Sequence, residues 1–107
     1  MKNKIISLLG FAAKAGKLGY GFEATLSSIK AKKTKLVIIA EDISEKSQKE
    51  IAFFADRQNV KHITLEGMNI KAVSDAVGRK CGIVSVNDSG FADGITAYIQ
   101  GGIANDK

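Results

Sequence analysis

Residues 17–42 read KLGYGFEATLSSIKAKKTKLVIIAED, and the order of residue types in this stretch sets the architecture. Two glycines flank a tyrosine (Gly19, Tyr20, Gly21), a helical repeat follows, and a lysine-rich turn leads to the apolar run Leu36–Ala40, which ends in Glu41 and Asp42. The repeat predicts a second helix over about Phe22–Lys32, burying Phe22, Leu26 and Ile29 at i, i+4, i+7 and turning Glu23, Ser27 and Lys30 outward. An unbroken run such as Leu36–Ala40 marks a strand covered on both faces of an α/β sheet. Glycines ahead of a helix leave N–H groups exposed at its positive end, where anions bind.

The chain on either side continues the alternation. A first helix is expected over about Asn3–Ala15, with Ile5, Leu8, Leu9 and Ala12 on one face and Gly16 as its C-terminal glycine. Leu18–Tyr20 reads as a short strand or a turn. Ser44 is placed to cap a third helix that runs to about Gln58 with Ile51, Phe54 and Ala55 inward. Lys61–Leu65, mixed in polarity, reads as a strand nearer an edge. A fourth helix, about Ile70–Val77, presents Ile70, Val73 and Val77 and stops at Gly78. The basic loop Arg79–Cys81 leads into the strand Ile83–Val86, and Asp88 or Ser89 caps a fifth helix carrying Phe91, Ile95, Tyr98 and Ile99. With no proline, repeat or low-complexity linker, residues 1–100 are expected to form a single α/β domain, with helices on both faces of a small sheet. Residues 101–107 are expected to fray.

The net charge of +5 is unevenly spread. Residues 1–35 hold eight lysines against Glu23, for +7, whereas residues 36–107 sum to −2. A basic third on a near-neutral body is an electrostatic footprint for nucleic acid or an anionic surface, or a lysine-rich solubility face. The single cysteine, Cys81, has no internal disulfide partner, and no Cys/His pair has metal-ligand spacing, so a reducing cytoplasm is expected and no cofactor or metal. Lys2 and Lys4 before the apolar run Ile5–Ala13 resemble a minimal secretory signal, but the i, i+3, i+4, i+7 spacing there is that of a core helix. No stretch approaches the roughly 20 apolar residues of a membrane span.

Two phosphate motifs come close. Gly10 and Gly16-Lys17 are spaced by five residues where a P-loop has four, Leu18 stands where Ser or Thr would hold magnesium, and the segment ends a helix. Gly19-Tyr20-Gly21-Phe22-Glu23-Ala24 fits G-x-G-x-x-A with Glu41 and Asp42 downstream, yet no buried strand leads into the first glycine. His62 is alone in its strand and reads as a surface or satisfied side chain. Arg79 and Lys80 beside Cys81 are of the kind that lowers a thiol pKa. Glu41 and Asp42 read as the polar lead-in to the third helix.

G-x-x-x-x-x-x-x-I over Gly21–Ile29 followed by K-L-V-I-I-A-E-D over Lys35–Asp42 resembles the ribosomal L-seven-Ae family of kink-turn RNA-binding proteins. L-L-G-F-A-A-K-A-G-K-L (Leu8–Leu18) and N-D-S-G-F-A (Asn87–Ala92) are similar to its small bacterial YlxQ-like branch. The likeness covers nearly the whole chain. It implies a three-layer α/β/α sandwich with a small central mixed sheet of about four strands, and RNA binding through the glycine turn, the start of the second helix and the loop before the last strand. Where the family carries Asn, Glu and, three residues later, Lys, this chain has Glu23, Ala24 and Ser27. An ionised carboxylate only accepts hydrogen bonds, and the neighbouring acceptor and cation are gone.

The sequence therefore leads to a cytoplasmic, non-enzymatic RNA-binding module of the translation machinery, with ribosomal or other structured RNA as partner, ribosome-associated proteins as further partners, and neither membrane nor small-molecule substrate. The expected contacts are Gly19, Tyr20, Gly21 and Phe22 through their backbone, Glu23 and Ser27 on the helix, and Lys14, Lys17, Lys30, Lys33, Arg79 and Lys80 through their charges. Lys17, Lys30, Lys33, Arg79 and Lys80 are expected to converge around the start of the second helix. The alternatives are a protein-interaction module on the same fold and, through G-x-G-x-x-A, a nucleotide-binding protein.

Overall fold

The computed structural model describes residues 2–105. Helices and strands follow one another as α1 (Lys2–Lys14), β1 (Leu18–Tyr20), α2 (Gly21–Lys30), β2 (Leu36–Ala40), α3 (Glu45–Arg57), β3 (Lys61–Leu65), α4 (Ile70–Val77), β4 (Ile83–Val86) and α5 (Ser89–Asn105). The strands form one mixed sheet ordered β1-β4-β2-β3. β2 and β3 are parallel, and β4 runs antiparallel to both β1 and β2. The polar strand Lys61–Leu65 does lie at an edge, where its exposed residues meet water.

The residues of β2 are buried, and they point alternately to two cores. Leu36, Ile38 and Ala40 join Ile5, Leu9 and Ala12 of α1, Val73 and Val77 of α4, and Ala92 and Ile95 of α5. Val37 and Ile39 face the other way, toward Ile29 of α2 and Ile51 and Ala55 of α3. A strand's side-chain period of two thus distributes one apolar run between two helical layers, and the result is an α/β/α sandwich. Ile51 alone, fully buried, contributes on the order of 2 kcal/mol of apolar burial.

Helix ends are fixed by local chemistry. At the end of α1, Gly16 takes a left-handed φ of 70° while Lys17 N–H and Gly16 N–H return to the Ala12 and Ala13 carbonyls, the paired bonds of a Schellman stop. α2 ends the same way, with Lys33 N–H on Ser28 and Lys32 N–H on Ile29. The helix therefore closes at Lys30 rather than at the expected Lys32, because Lys32 itself adopts φ 61°. A lysine in that conformation costs roughly 1 kcal/mol relative to glycine. The α3 stop places Asn59 at φ 58°. Helical backbone in α5 continues to Asn105, into the segment expected to fray from Gly101; residues 106 and 107 of that segment lie outside the described residues.

Candidate functional site

The register of β1 decides what the start of α2 can do. Leu18 pairs with Val86 and Tyr20 with Val84, so the strand brings Tyr20 to the end of the sheet where β2 finishes at Ala40. Tyr20 is also the N-cap residue of α2, in extended geometry and without a side-chain cap bond. The contrast with three other helices is direct. Ser44 Oγ accepts from Ser47 N–H at 3.2 Å, Asn69 Oδ1 from Ala72 N–H at 2.9 Å, and Asp88 Oδ2 from Phe91 N–H at 3.0 Å. α2 thus presents uncapped N–H donors at its positive end. Gly21 enters the helix with φ 91°, and a Cβ built there would meet nothing within 4 Å, so an oxygen-rich ligand has an open approach. Glu23, exposed in the first turn, is the acidic group that offsets this helix end.

A basic loop is folded against the same turn. Gly78 closes α4 in the left-handed region, its N–H returning to Ser74 O at 2.8 Å. Ser74 then anchors the other end of the loop: its hydroxyl accepts the Cys81 N–H at 2.9 Å and lies 2.7 Å from the Ile70 carbonyl and 2.9 Å from that of Cys81. Arg79 and Lys80, both exposed, are held between these anchors. The Arg79 guanidinium sits 4.5 Å from the centre of the Tyr20 ring. Cys81 is buried beneath, and burial pushes its thiol pKa up despite the opposing pull of the Arg79 charge. The expected lowering by neighbouring cations is thereby reversed, because loss of hydration outweighs one exposed guanidinium.

The other expected contacts lie elsewhere. Lys17 precedes Leu18 at the opposite end of β1, and its carbonyl accepts the Asn87 N–H at 2.8 Å. Lys33 stands in the turn that leads into β2 at that same end, where Lys35 N–H bonds to Val86 O. Lys14, in the last turn of α1, precedes the same Gly16 stop. Convergence thus holds for Arg79, with Lys80 in its loop, and fails for Lys17 and Lys33, since a strand crossing the sheet places its two flanks at opposite ends. Lys30, nine residues beyond Gly21 and so about 13 Å along α2, covers the Phe54 ring at 4.8 Å. Ser27 is exposed between them, and Glu23, Leu26, Ser27, Lys30 and Ala31 line a shallow groove of about 470 Å³.

Lys32 and Lys35 instead border a separate hollow of about 410 Å³ with Thr34, Gln58, Asn59 and Val60, at the C-terminal ends of α2 and α3. Cations there offset the negative ends of two helices.

Three features escaped sequence reasoning. Ser74 is unremarkable in a helical repeat, and only the returning loop gives its hydroxyl a role. Glu41 and Asp42 lie in the connection to α3, but their carboxylates serve another helix: Glu41 Oε1 accepts the Gly67 N–H at 2.9 Å and Asp42 Oδ1 the Ile70 N–H at 2.7 Å. They pin the β3–α4 turn and cap α4, because parallel pairing of β2 with β3 puts the two strand ends side by side. Gly19 packs against Ser85 and Ser28. His62 is satisfied, its Nε2 2.9 Å from Asp56 Oδ1. Among the described residues no group of three or more His, Cys, Asp or Glu side chains could hold a metal ion, and no helix is long and apolar enough to cross a membrane.

Comparison with known proteins finds similar sequences and a shared fold. Residues 3–95 match the model of the ribosomal protein L7Ae/L30e/S12e/Gadd45 family. The RNA-binding protein YlxQ of Enterococcus faecium is 29% identical over 101 residues, covering 94% of this chain and 95% of that protein. The large ribosomal subunit protein eL30 of Candida glabrata is 33% identical over 91 residues, covering 83% of this chain and 86% of that protein. Among solved structures, a protein of unknown function from Bacillus halodurans superposes with a TM-score of 0.85 at 26% identity, over 91% of this chain and 97% of that one. A 15.5 kD RNA-binding protein from Giardia lamblia shares the fold, with a TM-score of 0.74 at 14% identity over 92% and 83% of the two chains.

Proposed function

Because the chain belongs to the ribosomal protein L7Ae/L30e/S12e/Gadd45 family, we propose that it is a non-enzymatic RNA-binding protein of the translation machinery. It takes a bent, kink-turn-like RNA at the N-terminus of α2. The observation that carries this reading is the pairing of an uncapped helix start with a cation held over its capping residue, Arg79 on Tyr20 at 4.5 Å. Phosphate oxygens accept from the free N–H groups at Gly21 and beyond, where the helix dipole favours negative charge. Arg79 and Lys80 approach the same phosphates from the loop. A sharply bent RNA brings two backbone segments within reach of so small a patch, which a regular groove does not.

Glu23, Ala24 and Ser27 shape the selectivity. The Glu23 carboxylate opposes a phosphate beside it, and neither Ala24 nor Ser27 supplies the missing base contacts. Affinity in this site rests on backbone donors and charge more than on base edges. The test is fluorescence anisotropy of the full chain with a kink-turn RNA and an unstructured RNA of equal length between 50 and 200 mM salt. Binding with a steep salt dependence and a preference for the bent RNA supports the proposal. A complete absence of RNA binding, with salt-insensitive capture of a protein instead, assigns the fold to protein interaction. Titration with nucleotides tests the remaining alternative; saturable binding weakened by Gly21→Val would favour it.

A further inference from the structure

We propose that the outer face of α2 and α3 carries a track for single-stranded RNA leaving the α2 site, with Phe53 as its base-stacking platform and Lys30 and Arg57 as its phosphate contacts. The proposal rests on the RNA-binding reading above. Phe53 is 55% exposed; Phe11 is 59% exposed, but among the described residues no cation covers its ring. Its ring meets Phe54 edge-on, with centres 5.2 Å apart at 87°. Cations cover both rings: Lys30 Nζ lies 4.8 Å from the centre of Phe54, and the Arg57 guanidinium 5.5 Å from that of Phe53. Among the described residues neither Lys30 nor Arg57 forms an ion pair.

One exposed aromatic ring, backed by the half-buried Phe54 and flanked by two unpaired cations, suits single-stranded nucleic acid, whose bases stack without regard to sequence while its phosphates take the charges. A protein partner would have to strip water from both cations, and the cores of such interfaces are depleted in lysine. The track also joins the proposed site. The groove lined by Glu23, Leu26, Ser27, Lys30 and Ala31 runs from the start of α2 to Lys30. Seven residues of helix separate Glu23 from Lys30, about 10 Å, a span that a few nucleotides of single strand cover. Two carboxylates lie close to the track: Asp56, which His62 engages at 2.9 Å, and exposed Glu50, one turn before Phe53 and Phe54 on the same side of α3, so the phosphates run past Lys30 and Arg57 and away from Glu50. Glu23 at the head of the groove steers the backbone toward Lys30.

The experiment compares a blunt kink-turn RNA with the same RNA carrying a six-nucleotide single-stranded extension, at the 5′ and then at the 3′ end, with 2-aminopurine in the extension. Wild type, Phe53→Ala, Phe53→Trp and Lys30→Gln/Arg57→Gln are measured after thermal melts establish that each is folded. One extension is expected to raise wild-type affinity about fivefold or more, the scale of one stacked base, and to change 2-aminopurine emission. Phe53→Ala should remove the gain and the emission change while leaving the blunt RNA unaffected, and Phe53→Trp should retain both. An extension without effect, or a Phe53→Ala variant that loses blunt RNA equally, overturns the proposal. So does a Phe53-dependent dimer in sedimentation without any extension effect, which would assign this face to protein contact. If blunt RNA fails to bind but a free single strand binds through Phe53, the track stands and the kink-turn reading falls.

Discussion

Gly19→Ala is the substitution whose outcome follows most directly from packing. A Cβ at Gly19 would fall well inside contact distance of Ser85 Oγ, with Ser28 Oγ at 3.4 Å and Ala24 Cβ at 3.8 Å behind it. Neither strand yields freely, because β1 and β4 are paired over Leu18–Tyr20 and α2 lies across them. Overpacking of this kind costs about 1–3 kcal/mol, offset by roughly 0.5 kcal/mol from the smaller entropy of the unfolded chain. The net loss is therefore about 0.5–2.5 kcal/mol. Ser85 Oγ is itself buried without a hydrogen-bond partner, so Ser85→Ala alone should be neutral or stabilise by up to about 1 kcal/mol. Removing that oxygen also makes the room the new methyl group requires, and the double variant should return close to wild type. Urea unfolding of the four proteins measures this. With m near 2 kcal/mol/M, Gly19→Ala should lower the midpoint by about 0.3–1.2 M, and the double variant should restore it. The single variant also pushes Tyr20 away from Arg79, so it should weaken RNA binding while still folded, and the double variant should recover it. Effects that add to within about 0.5 kcal/mol would refute the packing argument.

Four further outcomes can be checked. Arg79→Ala should reduce the slope of log affinity against log salt by roughly 0.7–0.9, the signature of one lost phosphate contact, in the anisotropy titration. Glu23→Gln should strengthen binding to bent and unstructured RNA alike while lowering stability by about 0.3–1 kcal/mol through the lost helix-end charge. Selective loss of bent-RNA binding would instead show that Glu23 reads a base. Asp42→Ala should cost about 1 kcal/mol in urea unfolding, because the Ile70 N–H loses its acceptor while Asn69 still caps the Ala72 N–H. For Cys81 the folded thiol holds its proton more tightly than the unfolded one, so its contribution to stability is whole below about pH 8.5. It shrinks as pH rises toward the folded value, and the loss between pH 7.5 and 9.5 should be smaller in Cys81→Ala.

The residues of the candidate site divide according to the range of the interactions that place them. Gly21, Tyr20 and the start of α2 were legible because a glycine turn and a helical repeat are written within a dozen residues. Arg79 and Lys80 were legible as a basic loop, and the resemblance to a known family gave their neighbours. The contact of Arg79 with Tyr20 was not, because residues 20 and 79 meet only through the pairing of β1 with β4. The misplacement of Lys17 and Lys33 has the same origin. Charge summed along residues 1–35 says nothing of which end of a strand each lysine reaches.

By itself the sequence determined the layers. Leu36–Ala40 demands cover on both faces, its neighbours repeat at helical spacing, and the polar strand Lys61–Leu65 tolerates an edge, all through interactions a few residues long. Tertiary structure alone decided that Glu41 and Asp42 cap the turn before α4, that Ser74 holds the basic loop, that Gly19 must stay small beneath Ser85, and that burial outweighs Arg79 at Cys81. Each depends on strand register, which matches residues far apart in the chain. Side-chain period fixes which face a residue takes but not what stands opposite it.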